Sequence, residues 1–120
     1  MTGSVDHLHA ALLSAQSQFQ TLIEAETSRT DASNTAKTAF KIAEASILFL
    51  ERPHLLSSSQ ARYERGMLRL MAEIFGYLGR GTLTLDANSA ETISAASAAC
   101  ETEILALLDE TKPDKLRRGQ

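Results

Sequence analysis

The sequence has few of the residues that interrupt helices or form disulfides. In 120 residues there are two prolines, six glycines, no tryptophan and a single cysteine. One cysteine cannot close an intramolecular disulfide, which favours a reducing compartment. The aromatic residues are four phenylalanines and two tyrosines, so the core must rest mainly on Leu, Ile and Ala. That composition favours helices over sheets.

Export and membrane signals are also missing. No apolar run approaches the roughly 18 residues that a membrane-spanning helix needs. The opening stretch MTGSVDHLHAALLSAQ has no basic region before an apolar one, so we expect no signal peptide. A net charge of −3 disfavours nucleic acid as the main partner, because phosphate neutralisation needs a basic surface. We therefore expect a cytoplasmic protein of bacterial type.

The common catalytic and metal-binding motifs do not occur. His7 and His9 lie two residues apart, so they point in different directions on a helix. There is no Glu-x-x-His pair of the ferritin type, no Gly-x-Ser-x-Gly and no phosphate-binding loop. Cys100 lies on a predicted core stripe beside Glu101 and Glu103, which would raise the pKa of its thiol. We expect no catalytic residue, no cofactor and no metal site, and the protein is predicted not to be an enzyme.

Four segments show helical periodicity, which predicts an all-α protein, a four-helix up-down-up-down bundle. The predicted single domain covers residues 1–111, with helices at roughly 5–27, 31–51, 59–78 and 88–110. A basic polar tail follows at 112–120. The predicted buried stripes are, in chain order, Val5, Leu8, Leu12, Ala15, Phe19 and Leu22; Ala36, Ala39, Phe40, Ala43, Ile47 and Leu50; Tyr63, Met67, Leu70, Met71, Ile74, Tyr77 and Leu78; Ile93, Ala96, Cys100, Ile104 and Leu107.

The stretch ETISAASAAC, residues 91–100, has good helix-forming residues and very little side-chain bulk. Small residues let a neighbouring helix approach to the short end of the roughly 8–10 Å range of interaxial distances. We interpret the stretch as a site of close packing within the bundle. The alternative is that its outer alanine side receives a helix of a partner.

Charge is divided unevenly between the last two predicted helices. Arg62, Arg65 and Arg69 share one face of the third helix, at positions i, i+3 and i+7. Residues 91–110 of the fourth helix hold five acidic residues and no basic one. The two sets can pair on the surface of the bundle, or the arginines can form a basic ridge for an acidic partner.

We expect the protein to bind another protein, as an export chaperone, an immunity protein or a small adaptor, and it can also pair with itself as a homodimer. MAEIFGYLGRGTLTLD followed by a last amphipathic helix is similar in layout to flagellar export chaperones, which are acidic helical bundles. The predicted partner-binding residues are Ile42, Phe49, Leu55, Leu56, Arg62, Arg65, Arg69, Leu83 and Leu85.

Two other functions stay open at this point. One is a ligand-binding or enzymatic bundle with an inter-helix pocket lined by Tyr63, Tyr77 and a histidine. The other is a nucleic-acid-binding bundle that uses the arginines of the third helix and the basic tail.

Overall fold

The computed structural model describes residues 2–25, 30–57, 59–80 and 87–112. They form four α-helices, α1 (Thr2–Ala25), α2 (Thr30–Leu50), α3 (Ala61–Arg80) and α4 (Ala87–Glu110), and no strand occurs within these ranges. The all-α four-helix bundle is confirmed. None of the described helices combines the length and the apolar character needed to cross a bilayer. Leu83, Leu85 and the tail beyond Lys112 lie outside the described residues.

The bundle is built from two helical hairpins. α1 packs extensively against α2, and α3 against α4. His9 near the start of α1 reaches Glu51 just beyond α2, with 3.2 Å between Nε2 and Oε2, so these helices run antiparallel. The hairpins meet through α1 and α4, whereas α2 makes only sparse contact with α3 and α4. α2 is therefore held mainly by α1.

The predicted stripes of α1, α2 and α4 form the core. α1 buries its central residues, and Val5 and Leu22 at the ends of its stripe are half-buried. α2 buries its alanines together with Ile47 and Leu50, and Phe40 is half-buried against them. Every predicted stripe residue of α4 is buried. The alternation of three and four residues therefore identified the inward face of these three helices correctly.

The predicted core stripe of α3 is correct for Met71 and wrong for three of its large residues. Tyr63, Leu70 and Tyr77 are 58%, 47% and 73% exposed. Met71 is buried as predicted, but the other large core residues, Leu68 and Phe75, lie one residue after predicted positions. One residue corresponds to a rotation of about 100° around an α-helix. The large side chains of Leu68 and Phe75 fill the core, and the two tyrosines lie on a neighbouring face.

The small residues of α4 allow α3 to come close. A Cβ atom on Gly79 of α3 would lie 3.6 Å from the carbonyl oxygen of Ser94 and 3.7 Å from Cβ of Ser97. Ser97 is fully buried, so the two backbones approach each other here with almost no side chain between them. Part of the ETISAASAAC stretch therefore serves close packing within the bundle.

Candidate functional site

The three arginines that the sequence singled out lie along one groove. Arg62, Arg65 and Arg69 come from successive turns of α3 and line a groove of about 490 Å³. We call it the arginine groove, and its remaining lining residues are Leu56, Ala61, Gly66 and Thr111. Among the residues that the structure describes, no Asp or Glu lines it. The groove thus joins four of the predicted partner-binding residues, Leu56 and the three arginines.

One lining residue of the arginine groove is a glycine, Gly66 of α3. A Cβ atom on Gly66 would meet no other atom within 4 Å, so the space above this position is open. Glycine inside a helix costs about 1 kcal/mol relative to alanine. No close contact in the fold requires a glycine at this position. Its structural effect is to leave this part of the groove lining without a side chain.

Arg65 is fixed in place, whereas Arg62 and Arg69 point to solvent. Arg65 Nη1 donates a 2.6 Å hydrogen bond to Oγ1 of Thr111, which in turn donates to the carbonyl oxygen of Leu107 at 2.8 Å. This contact ties the start of α3 to the end of α4. Arg62 and Arg69 are exposed, and among the described residues no ion pair joins either of them to a carboxylate. Their guanidinium groups are available to an external anion.

A buried carboxylate binds the loop between α2 and α3. This loop contributes Leu56 to the lining of the arginine groove. Glu64 is 1% exposed, and its Oε1 accepts a 2.7 Å hydrogen bond from the backbone N–H of Leu56. Its Oε2 lies 3.7 Å from Nη2 of Arg52. Leu56 has a backbone φ of 63°, in the left-handed region that residues other than glycine rarely adopt. The charge-assisted hydrogen bond to Glu64 stabilises this backbone conformation.

Sequence reasoning missed Glu64 because glutamate is almost never fully buried unless it is paired. The sequence does contain a weak indication that Glu64 is buried. Glu64 occupies the same helical face as Leu68, Met71 and Phe75, so an acidic residue there conflicts with the apolar character of its neighbours. Such a conflict indicates a polar partner inside the fold, here Arg52 and the loop backbone.

A second groove runs beside the same helix. It has a volume of about 450 Å³, and its lining residues are Arg69, Ala72, Glu73, Tyr77, Arg80, Glu101 and Leu105. The guanidinium of Arg80 lies over the ring of Tyr77, 5.7 Å from the centroid. Because carboxylates and guanidinium groups alternate here, this groove has no single sign of charge. Arg69 lines both grooves and joins them into one surface along α3.

The other predicted partner-binding residues are less exposed than expected. Ile42, Phe49 and Leu55 are half-buried and pack against the core. Arg52 covers the ring of Phe49, with 5.1 Å between the guanidinium carbon and the ring centroid. Leu56 is also half-buried, although it reaches the arginine groove. An uncovered apolar patch at Ile42 and Phe49 is therefore not present, and their part in binding stays a prediction.

The two tyrosines predicted to line a small-ligand pocket lie far apart in the described structure. Tyr63 and Tyr77 are 14 residues apart on α3, about 21 Å along the axis at 1.5 Å per residue. Tyr77 lines the second groove, and Tyr63 lines neither of the two. Within the described residues, no three side chains of His, Cys, Asp or Glu come together as they would around a metal ion.

Cys100 is buried, and its Sγ lies 3.6 Å from the carbonyl oxygen of Ala11. Desolvation, together with the negative charge of Glu103, raises the pKa of the Cys100 thiol from 9.0 to about 12. A thiol in this state is a poor nucleophile, because the thiolate is the reactive form.

The raised pKa of Cys100 predicts a loss of stability at alkaline pH. Above pH 9 the unfolded chain releases the thiol proton while the folded chain retains it, so ionisation favours unfolding. We expect this thiol to lower the free energy of unfolding by about 1.4 kcal/mol per pH unit at most between pH 9 and 12. Urea titrations of wild type and Cys100→Ala across this range isolate the effect as a difference in slope. Parallel slopes would contradict it.

Comparison with known proteins adds no relative. No protein-family model matches the sequence. No curated protein and no solved structure matches it either.

Proposed function

We propose that this protein is a non-catalytic binding module that takes an acidic segment of another protein into the arginine groove. The observation that carries the proposal is the convergence of Arg62, Arg65 and Arg69 on one groove whose described lining contains no carboxylate. An export chaperone, an immunity protein and an adaptor are physiological forms of such a module.

The chemistry of the groove suits carboxylates. A guanidinium group presents two parallel N–H donors that match the two oxygens of a carboxylate. Hydrogen bonds to charged groups contribute about 1.5–3 kcal/mol each, so two or three of them can support a specific complex. Leu56 and Ala61 add an apolar wall that an aliphatic side chain of the bound segment can contact.

A protein partner is favoured over nucleic acid by the surroundings of the groove. α4 lies beside α3 and carries five acidic residues and no basic one between positions 91 and 110. A nucleic acid presents a continuous row of phosphates, which would meet the carboxylates of α4 beside a short basic groove. A peptide can place acidic side chains at the arginines alone and extend neutral residues elsewhere.

The proposal is tested with two double variants that change the net charge equally. Arg62→Glu with Arg69→Glu reverses the groove, and Lys37→Glu with Lys41→Glu reverses two exposed lysines of α2. We expect a protein captured from the source cells by the wild type to bind the α2 variant with little change. The groove variant should lose at least about tenfold in affinity, as one lost charged hydrogen bond predicts.

Gly66 provides a second, independent variant. Gly66→Glu places a carboxylate in this open part of the groove, where it competes with the partner for the arginines. Glutamate is also a better helix former than glycine, so folding should not suffer. We expect Gly66→Glu to abolish capture and Gly66→Ala to preserve it. Capture that is unaffected by Gly66→Glu, or that disappears after nuclease treatment, would remove the proposal.

A further inference from the structure

Five residues of the predicted α3 stripe form a second apolar surface on this helix. Its residues, spaced by four, three, four and three positions, are Tyr63, Met67, Leu70, Ile74 and Tyr77, and we call them the α3 seam. This is the spacing with which one helix of a coiled coil contacts another. Tyr63, Leu70 and Tyr77 are largely exposed, and Met67 and Ile74 are half-buried. The chain's own core therefore leaves much of the seam uncovered.

The α3 seam lies on the side of α3 that faces away from α4. The core positions follow the seam by one residue, and Ala72 and Gly76 follow the core positions by one residue again. Gly76 and Gly79 are the positions where α4 approaches, since their Cβ positions lie near Glu101 and Ser94. α2, the remaining neighbour, makes only sparse contact with α3. No described helix thus covers the seam fully.

α4 carries a surface with the same residue spacing, but it is formed by small side chains where the α3 seam has large ones. Ala95, Ala99, Thr102 and Ala106 are spaced by four, three and four positions, and all are exposed. We call them the α4 small-residue face. Within the chain they support no packing, because α4 uses its opposite side for the core. Such a face lets the backbone of another helix approach closely.

The two surfaces also have opposite charge. Arg62, Arg69 and Arg80 lie on the solvent side of the α3 seam, with Glu73 as the one acidic residue of that side. Glu91, Glu103 and Glu110 lie beside the α4 small-residue face. Large side chains opposite small ones, and arginines opposite carboxylates, are the features that make two helices complementary.

We propose that the α3 seam of one copy packs on the α4 small-residue face of a second copy. The contact joins different surfaces of the two chains, so a bound pair still has one free α3 seam and one free α4 small-residue face, on different copies. Such a contact continues into a ring or an open chain unless its geometry closes it. The expected behaviour is an average mass that rises above the 13.0 kDa chain as the concentration increases.

Two single variants test the contact. Leu70→Glu disables the α3 seam and leaves the small-residue face intact, and Ala99→Arg does the reverse. We expect each variant alone to remain a monomer in sedimentation equilibrium from about 10 μM to about 1 mM, the range of weak association. An equimolar mixture should assemble, because one functional surface of each kind remains, and it should stop at a dimer.

Leu48→Glu is the matched control, since Leu48 is a 65% exposed leucine on α2 and lies outside both surfaces. It should assemble as the wild type does, and far-UV circular dichroism confirms that each variant folds. A wild type that remains monomeric at about 1 mM would overturn the proposal. So would an Ala99→Arg variant that still assembles while Leu70→Glu does not, because the α3 seams would then pair with each other. Failure of the self-association proposal would not affect the proposed binding at the arginine groove, since neither Leu70→Glu nor Ala99→Arg alters a residue that lines this groove.

Discussion

Leu68→Ala lowers the free energy of unfolding by about 3 kcal/mol, whereas Leu70→Ala lowers it by less than about 1 kcal/mol. The two leucines lie two positions apart on α3, and the substitution removes the same atoms from each. Leu68 is fully buried, so its truncation leaves a cavity in the core. Leu70 is 47% exposed and loses only part of its apolar contact.

Urea denaturation followed by far-UV circular dichroism measures both values, and the protein has no tryptophan to follow by fluorescence. Equal slopes of free energy against urea would show that the variants unfold from equally compact states. Should Leu70→Ala be the costlier change, the orientation of α3 would be wrong by about one residue. The α3 seam would then be core, and the proposed contact between copies would fail with it.

Glu64→Ala lowers the free energy of unfolding by about 2–3 kcal/mol, which is the contribution of a buried hydrogen bond to a charged group. The change removes the acceptor of the Leu56 N–H and leaves the guanidinium of Arg52 without its buried partner. It also releases a loop in which His54 and Leu56 both have left-handed backbone angles. We expect the first turn of α3 and this loop to become the most readily opened part of the bundle.

Glu64→Gln separates geometry from charge, because its amide oxygen can still accept the hydrogen bond from Leu56. It should cost about 1 kcal/mol, less than the alanine variant. Glu73→Ala, an exposed glutamate on the same helix, supplies the baseline within about 0.5 kcal/mol of wild type. If Glu64→Ala matches Glu73→Ala, the buried carboxylate does not stabilise the loop. Amide hydrogen exchange at Leu56 would report the opening directly.

The fold was predictable from periodicity because α1, α2 and α4 each carry a main apolar stripe that faces the core. α3 carries two stripes that differ by one residue. Leu68, Met71 and Phe75 form one of them, and the α3 seam forms the other. Periodicity cannot choose between them, and the charge of Glu64 makes the true core stripe look polar. Tyrosine is a further ambiguity, since it suits both a core and a half-exposed surface.

The candidate site was predictable only in part. The spacing of Arg62, Arg65 and Arg69 places them on one side of a helix, and the structure joins them to one groove. The same reasoning could not find Thr111, which is 46 residues from Arg65 and is brought there by the packing of α4 against α3. Ile42 and Phe49 are less exposed than predicted because the second apolar side of α2 packs against the core.

The way the two hairpins meet has a consequence for the order of folding. α1 with α2, and α3 with α4, are neighbours in sequence and can form through short loop closures. The extensive contact between α1 and α4 instead joins positions that are far apart, such as Ala11 and Cys100, which are separated by 89 residues. Closing so long a segment costs more chain entropy than closing either hairpin. The speed of folding should therefore be set by the encounter of preformed hairpins, with the helices themselves complete long before it.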